Sequence, residues 1–205
     1  MLEDLLSRRE SKRAVRKLVE YAAKIGWIDS VLQGRALDFE GNPIPWYTYP
    51  ALHFLNSRVL PDLRVLEFGS GQSTLWWAKR VKQVVAIEHD PTWTPSPMPN
   101  NVIFHRIPLE ENGDYCRAAE RTDGMFDVIV IDGRDRVRCC RNSLKKLSER
   151  GVVIWDDAER RRYQPGIKTL LAAGFKQMPF FGHSAMKAGQ SDTSIFYRDS
   201  NCLAI

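Results

Sequence analysis

Apolar positions repeat along this chain in two rhythms, and the change from one to the other marks its organisation. In residues 11–24, Val15, Leu18, Val19 and Ala22 share one side of a 3.6-residue period, which predicts an amphipathic helix ended by Gly26. A shorter helix is expected over 27–33 and another over 50–58, with the loop G41-N-P-I-P-W-Y-T-Y-P50 before the latter. From residue 63 the rhythm changes to short β-branched runs: L63-R-V-L-E-F68, Q83-V-V-A-I-E88, N101-V-I-F-H-R106, F126-D-V-I-V-I-D132 and G151-V-V-I-W155. Runs that are apolar at nearly every position belong to strands covered on both faces, as in a parallel sheet. Helices are expected between them over 72–80, 113–121, 135–148 and 164–172, which gives βαβ units with right-handed crossovers. The end of the chain breaks this alternation. G174-F-K-Q-M-P-F-F181 and T193-S-I-F-Y-R198 both read as strands with only the loop 182–192 between them, which predicts a hairpin.

Composition refines this picture. The 205 residues suit one α/β domain over 60–205, preceded by helices and an aromatic loop over 1–59 that cover its pocket. A hydrophobic fraction of 43% supplies a core and argues against disorder. The net charge is +5, and residues 1–24, with seven Lys/Arg against four Asp/Glu, account for +3 of it. That concentration reads as a solvated basic helix: no aromatic-interleaved basic patch accompanies it, so no nucleic-acid partner is expected. Cys116, Cys139, Cys140 and Cys202 form no C-x-x-C and no zinc spacing, and read as reduced thiols. The segment M1-L-E-D-L-L-S-R-R-E10 has early acids and too short an apolar run for a signal peptide, and no run approaches the roughly 18 apolar residues of a membrane span. A cytoplasmic protein off the membrane, open to self-association, is the expectation.

The candidate chemistry begins where the first strand ends, at E67-F-G-S-G-Q-S-T74. Ligands of open parallel sheets bind at the carboxyl ends of the strands. Gly69 and Gly71 let the backbone turn and approach a ligand, while Ser73 and Thr74 offer caps and hydroxyls to the next helix. A phosphate cradle is disfavoured: no Walker lysine follows, Thr74 stands where a dinucleotide fingerprint has its third glycine, and Glu67 would repel a pyrophosphate. The second strand ends in Glu88, near the spacing at which an acid reaches a ribose diol. A ligand with a ribose and positive charge but no phosphate meets these demands, and S-adenosylmethionine is such a ligand.

The motif E67-F-G-S-G-Q-S-T74 followed by I87-E-H-D90 resembles the class I S-adenosylmethionine-dependent methyltransferases. The resemblance implies a doubly wound, mostly parallel seven-stranded sheet of order 3-2-1-4-5-7-6, with the last strand antiparallel and helices on both faces. It places Glu67 near the methionine end of the cofactor and wraps Gly69, Ser70 and Gly71 around it, with Ser73 and Thr74 alongside. It sets Glu88 on the ribose, His89 and Asp90 beside the adenine, and a further adenine contact in Asn112–Tyr115. Trp76 and Trp77 are expected to be helix packing.

A second acidic cluster closes strands four and five, with Asp132 in D127-V-I-V-I-D132-G-R-D-R136 and Asp156-Asp157 after V152-V-I-W155. Three carboxylates in one cleft need a cationic offset. The arrangement is similar to metal-dependent methyltransferases of the catechol O-methyltransferase type, which implies magnesium on Asp132, Asp156 and Asp157. The chain departs from that type at two places: Asp135 stands where the base lysine would be, and Asp157 replaces an asparagine. The alternative offset is an Asp–Arg network drawn from Arg134, Arg136, Arg138, Arg141 and Arg160–Arg162. In that arrangement Asp132 or Asp156 is the candidate general base, and Arg134 holds an acidic substrate.

Above the pocket, Trp46, Tyr47 and Tyr49 form either an aromatic wall or a plug tying the N-terminal helices to the sheet, and the hairpin loop carries His183. The expected function is methyl transfer from S-adenosylmethionine to a small-molecule acceptor, at oxygen. The rivals are an NAD-type dehydrogenase, a non-catalytic nucleoside-binding protein and an RNA methyltransferase; against the last, no N-P-P-Y-type motif is present.

Overall fold

The structure is a computed structural model that describes residues 9–205. Of the expectations above, the reading of a leader-free N-terminus rests largely on residues 1–8, outside those described. Three helices come first: α1 (Arg9–Lys24), α2 (Trp27–Gln33) and α3 (Tyr49–Asn56). The sheet strands and their crossover helices follow as β1 (Arg64–Phe68), α4 (Gln72–Ala78), β2 (Gln83–Glu88), β3 (Val102–Arg106), α5 (Asp114–Arg117), β4 (Phe126–Ile131), α6 (Arg136–Ser143), β5 (Leu147–Asp156) and α7 (Gln164–Ala172). The hairpin β6 (Lys176–His183) and β7 (Gln190–Tyr197) completes a seven-stranded sheet of order β3-β2-β1-β4-β5-β7-β6, as expected. Strands β1 to β5 are parallel, and β7 runs antiparallel to both β5 and β6.

Each strand divides its side chains between two apolar layers, because successive residues point to opposite faces. Val65, Val84, Val128, Val130, Val152 and Ile154 face α3 and α4, where they bury Leu52, Leu55, Trp76 and Trp77. Leu66, Phe68, Ile87, Ile129, Ile131 and Trp155 face the other way, onto Tyr115, Cys139, Cys140, Ile167 and Leu170. All four cysteines are unpaired and buried: Cys202 lies in the first layer, and Cys116, Cys139 and Cys140 in the second. Burial pushes the Cys140 and Cys202 thiols up to about 12.

Four boundaries differ from the sequence expectation, each for a local reason. Strand β5 starts at Leu147 rather than Gly151, because two steps on β4 (Phe126 to Val128) face five on β5 (Leu147 to Val152). The polar residues of this irregularity disguise it as loop; one of them, Ser148, donates to Asp127 Oδ1 at 3.0 Å. The β6–β7 ladder continues through Gly182↔Ser191 and His183↔Gln190, so the loop narrows to 184–189. The segment 113–121 splits into α5 and a 3₁₀ turn over Ala118–Arg121, and α6 ends at Ser143 before another such turn. Helix α1 forms as predicted, but its stripe does not enter the core: Val15, Leu18, Val19 and Tyr21 are exposed. Among the described residues no helix is long and apolar enough to cross a membrane.

This layering separates residues that matter for stability from those that do not. Ile129→Ala, in the central strand, should cost about 2–5 kcal/mol in urea denaturation. Leu18→Ala on the open face of α1, 66% exposed, should stay within about 0.5 kcal/mol of the wild type.

Candidate functional site

Three strand ends bring acids together because of one register. On the face that carries Val65, Val128–Val130 and Val152–Ile154, the next positions in the period-2 rows are Glu67, Asp132 and Asp156. Pairing of Ile131 with Trp155 sets Asp132 and Asp156 side by side one step further on. Burial pushes Asp132 up to about 6 and Asp156 well above the usual carboxylate range, and the charge of neighbouring acids adds to both. Glu67, fully buried, is pushed up to about 7 mainly by burial.

Glu67 is not at the wall of the site. Its row carries it beneath the glycine turn, where Oε2 accepts the Thr74 hydroxyl and Oε1 has no partner. Thr74 Oγ1 also lies 2.7 Å from Ser70 Oγ and accepts the Gly71 N–H at 3.1 Å. Thr74, like Glu67, is therefore part of the turn's support. The two glycines do different work. Gly69 has φ 91°, and a Cβ there would lie 2.6 Å from the Gly133 backbone, so the ends of β1 and β4 touch only because neither residue has a side chain. Gly71 is extended, at φ −164°, and any residue adopts that conformation; a Cβ there would meet nothing closer than Ser73 Oγ at 3.6 Å. What Gly71 contributes is an uncovered backbone beside open space, a cradle that a side chain would fill.

Glu88 closes the turn from the second strand. Its Oε2 accepts the Ser70 N–H at 2.9 Å, and its Oε1 accepts the N–H groups of His89 and Asp90, both at 2.7 Å. Asp90 turns away and accepts the Thr92 N–H and hydroxyl. Tyr115 is buried; its hydroxyl accepts the Arg134 N–H at 3.3 Å, and it would block any side chain at Gly133.

At the β4 and β5 ends the acids are met by cations. Arg136 Nε donates to Gly133 O, one terminal nitrogen donates to Asp156 O, and Nη2 donates to both Asp132 O and Asp132 Oδ1 at 3.0 Å. Its guanidinium also lies 3.6 Å from Asp157 Oδ2 and stacks on the Tyr163 ring. Arg160 pairs with Asp157 Oδ2 at 2.9 Å, Lys187 donates to Asp157 Oδ1 at 2.6 Å, and the Thr193 hydroxyl donates to Asp156 Oδ1 at 2.7 Å. The magnesium expectation for Asp132, Asp156 and Asp157 does not fit this donor set. A divalent ion needs free carboxylate oxygens, whereas both oxygens of Asp157 are taken by Lys187 and Arg160, and one oxygen each of Asp132 and Asp156 by Arg136 and Thr193; among the described residues no three His, Cys, Asp or Glu are placed to hold an ion.

One cavity of about 640 Å³ joins these parts. Of the residues the sequence singled out, Gly69, Ser70, Gly71, Ser73, Glu88, His89, Asp132, Arg134, Asp156 and Asp157 line it; Glu67, Thr74, Asp90 and the segment 112–115 do not. The aromatic stretch splits. Trp46 lines the cavity, while Tyr47 is a plug, buried and accepting a hydrogen bond from Trp77 Nε1 at 3.2 Å. His183 rests near the Trp27 ring instead, at 5.8 Å. Sequence reasoning missed Arg35, Trp93, Met186 and Lys187, which line the cavity from the turn after α2, the loop after β2 and the hairpin. A wider depression beside α6 and α7, lined by Arg141, Arg161 and Lys168 among others, holds no strand end and no carboxylate.

The buried Glu67 has a measurable signature. Its folded pKa of about 7 exceeds the ordinary 4.5, so the folded state binds the extra proton between these values. That contribution is complete below pH 4.5 and is lost as pH rises through 7. Glu67→Gln should therefore gain stability relative to the wild type as pH is raised through this window, by on the order of 3 kcal/mol, in denaturation curves run across it.

Comparison with known proteins agrees with this geometry. Residues 66–158 match the family model of a methyltransferase domain. No curated protein sequence matches the chain. Similar solved structures include an O-methyltransferase from Bacillus cereus in complex with S-adenosylhomocysteine, at 18% identity over 87% of this chain and 96% of that one, TM-score 0.61. They also include the O-methyltransferase TomG of tomaymycin synthesis from Streptomyces achromogenes, in complex with S-adenosylmethionine, at 18% identity over 71% of this chain and 77% of that one, TM-score 0.56. A third is a precorrin 8w decarboxylase from Methanobacterium thermoautotrophicum, at 19% identity over 72% of this chain and 87% of that one, TM-score 0.53. At these identities the structures speak to the fold, and the family model speaks to the domain. Residues 66–158 thus carry a methyltransferase domain, within a sheet of the order that the resemblance to class I S-adenosylmethionine-dependent methyltransferases implies.

Proposed function

We propose that the chain transfers the methyl group of S-adenosylmethionine to an oxygen of a small, anionic acceptor. The observation that carries this reading is the make-up of the cavity at the strand ends. One end is the uncovered Gly69–Gly71 backbone beside Glu88, suited to a nucleoside without phosphate. The other end carries Arg35, Arg134, Arg136, Arg160 and Lys187, which outnumber the carboxylates Asp132, Asp156 and Asp157 beside them. Two of the similar structures are O-methyltransferases, and the oxygen acceptor comes to this chain as part of the proposal. The dehydrogenase alternative is disfavoured by Thr74, whose hydroxyl is built into the support of the turn where a third glycine would have to stand.

When bound, S-adenosylmethionine supplies an electrophilic methyl on a sulfonium. The chain's own residues supply the rest. Gly71 leaves room for the cofactor, and Glu88, already fixing the turn through Ser70, faces the ribose. Arg134 and Arg35 are both exposed at the cavity, and neither side chain is hydrogen-bonded or ion-paired to another described residue, so both are available to an acceptor's acidic group. Asp132, pushed up to about 6, is poised to accept the acceptor's proton near neutral pH. Holding acceptor and cofactor in one geometry is expected to supply much of the rate.

Calorimetry with S-adenosylhomocysteine tests the cofactor half. The wild type should bind it, and Gly71→Arg and Glu88→Ala should each weaken binding at least about tenfold with the fold intact by circular dichroism. Binding of NAD with no response to S-adenosylhomocysteine would reverse the assignment. For the acceptor half, a screen of phenolic and carboxylate acceptors with labelled S-adenosylmethionine should yield a substrate. Arg134→Gln should then raise that substrate's KM about tenfold and leave the KM for S-adenosylmethionine unchanged.

A further inference from the structure

The β6–β7 loop is placed by topology, not by its sequence. Because β7 runs antiparallel to β5, the residues preceding Gln190 arrive beside Asp156, at the ligand edge of the sheet. The loop is tied down on both sides. Ser184 bridges to Thr48, Thr48 N donates to Thr193 Oγ1 at 2.9 Å, and Trp27 Nε1 donates to Lys187 O at 3.0 Å. Lys187 thereby faces Asp157 from across the cavity. Two residues around this contact have left-handed backbones without being glycine: Asp157 at φ 56° and Met186 at φ 66°. For methionine this is a costly conformation, of the kind that persists where the surroundings impose it and that clusters at functional sites.

Charge explains what the contact does. Asp132, Asp156 and Asp157 occupy positions where a divalent ion would otherwise neutralise them, but both oxygens of Asp157 are already bonded to Lys187 and Arg160, and cations take its place there. Arg136 spends its donors on Gly133, Asp156 and Asp132 and is buried. Lys187 is different: it lines the cavity, and of its three ammonium hydrogens Asp157 takes one, with no other described residue bonded to that nitrogen. On the methyltransferase reading above, we propose that Lys187 replaces the divalent cation and is the group that contacts the acceptor oxygen, with Asp157 and the Trp27-anchored loop as its mount. A compact ammonium suits this place better than a guanidinium, since it presents its remaining hydrogens from a point rather than a planar fork.

Two measurements on the full chain decide this. The first uses manganese(II) alone as probe, read by water-proton relaxation with and without S-adenosylhomocysteine. The wild type should bind none at millimolar concentration; binding that Asp157→Asn abolishes would overturn the proposal. The second uses turnover of the acceptor found by the labelled screen. EDTA should leave the wild-type rate unchanged, and Lys187→Met should lower kcat about a hundredfold while S-adenosylhomocysteine affinity and melting temperature hold. Methylammonium should restore part of the rate to Lys187→Ala, which a mere structural clamp would not allow. A kcat for Lys187→Met within about threefold of wild type, or a loss that follows the melting temperature and ignores methylammonium, would sink the assignment. Failure of the wild type to bind S-adenosylhomocysteine would instead remove the parent reading, and the manganese result would still decide the cation question.

Discussion

Everything at the ligand edge of this protein answers to one electrostatic constraint: acids at the ends of β1, β4 and β5 fall on a single face of a buried sheet. The period-2 rows that place valine and isoleucine over α3 and α4 end in Glu67, Asp132 and Asp156 without changing face. Buried charges of one sign cannot stand together without either protonation or a counter-charge. The structure uses both. Glu67, farthest under the turn, meets only hydroxyls and is pushed toward its neutral form. Asp132 and Asp157 keep their charge partners in Arg136, Arg160 and Lys187, and Asp156 is held by the Thr193 hydroxyl and the nearby Arg136.

That division explains why the architecture and the chemistry are inseparable here. The antiparallel β7 brings Thr193 against Asp156 and, through the loop before it, Lys187 against Asp157. A hairpin inserted as an ordinary parallel strand would have carried its loop to the opposite edge of the sheet. The N-terminal segment is recruited to the same end, since Thr48 and Trp27 fasten the loop and Tyr47 seals the core beneath it.

Much of this was legible in the chain, for reasons tied to particular residues. The parallel strands announce themselves because almost every position in V128-I-V-I131 or V152-V-I-W155 is apolar, a pattern only double-sided burial requires. The glycine turn was visible from G69-S-G71, and so was the need for cations near Asp132 and Asp156. Which cations answer was not legible. Arg134 and Arg136 are two residues apart with the left-handed Asp135, at φ 45°, between them, and the second turns inward while the first stays open. Lys187 was hidden because its nearness to Asp157 depends on the register of a hairpin across thirty residues. The surroundings of the α1 stripe were not legible either, because periodicity says which side of a helix is apolar, not what covers it.

The buried cysteines carry a practical consequence. Thiolate, not thiol, is the reactive species, so groups held out of solvent with their ionisation suppressed should ignore alkylating reagents while the domain stays closed. They also sit on opposite sides of the sheet, Cys202 under one layer and Cys116, Cys139 and Cys140 under the other. The wild-type chain thus holds native reporters of breathing on each flank, and the order in which a maleimide modifies them would reveal which helical cover lifts first.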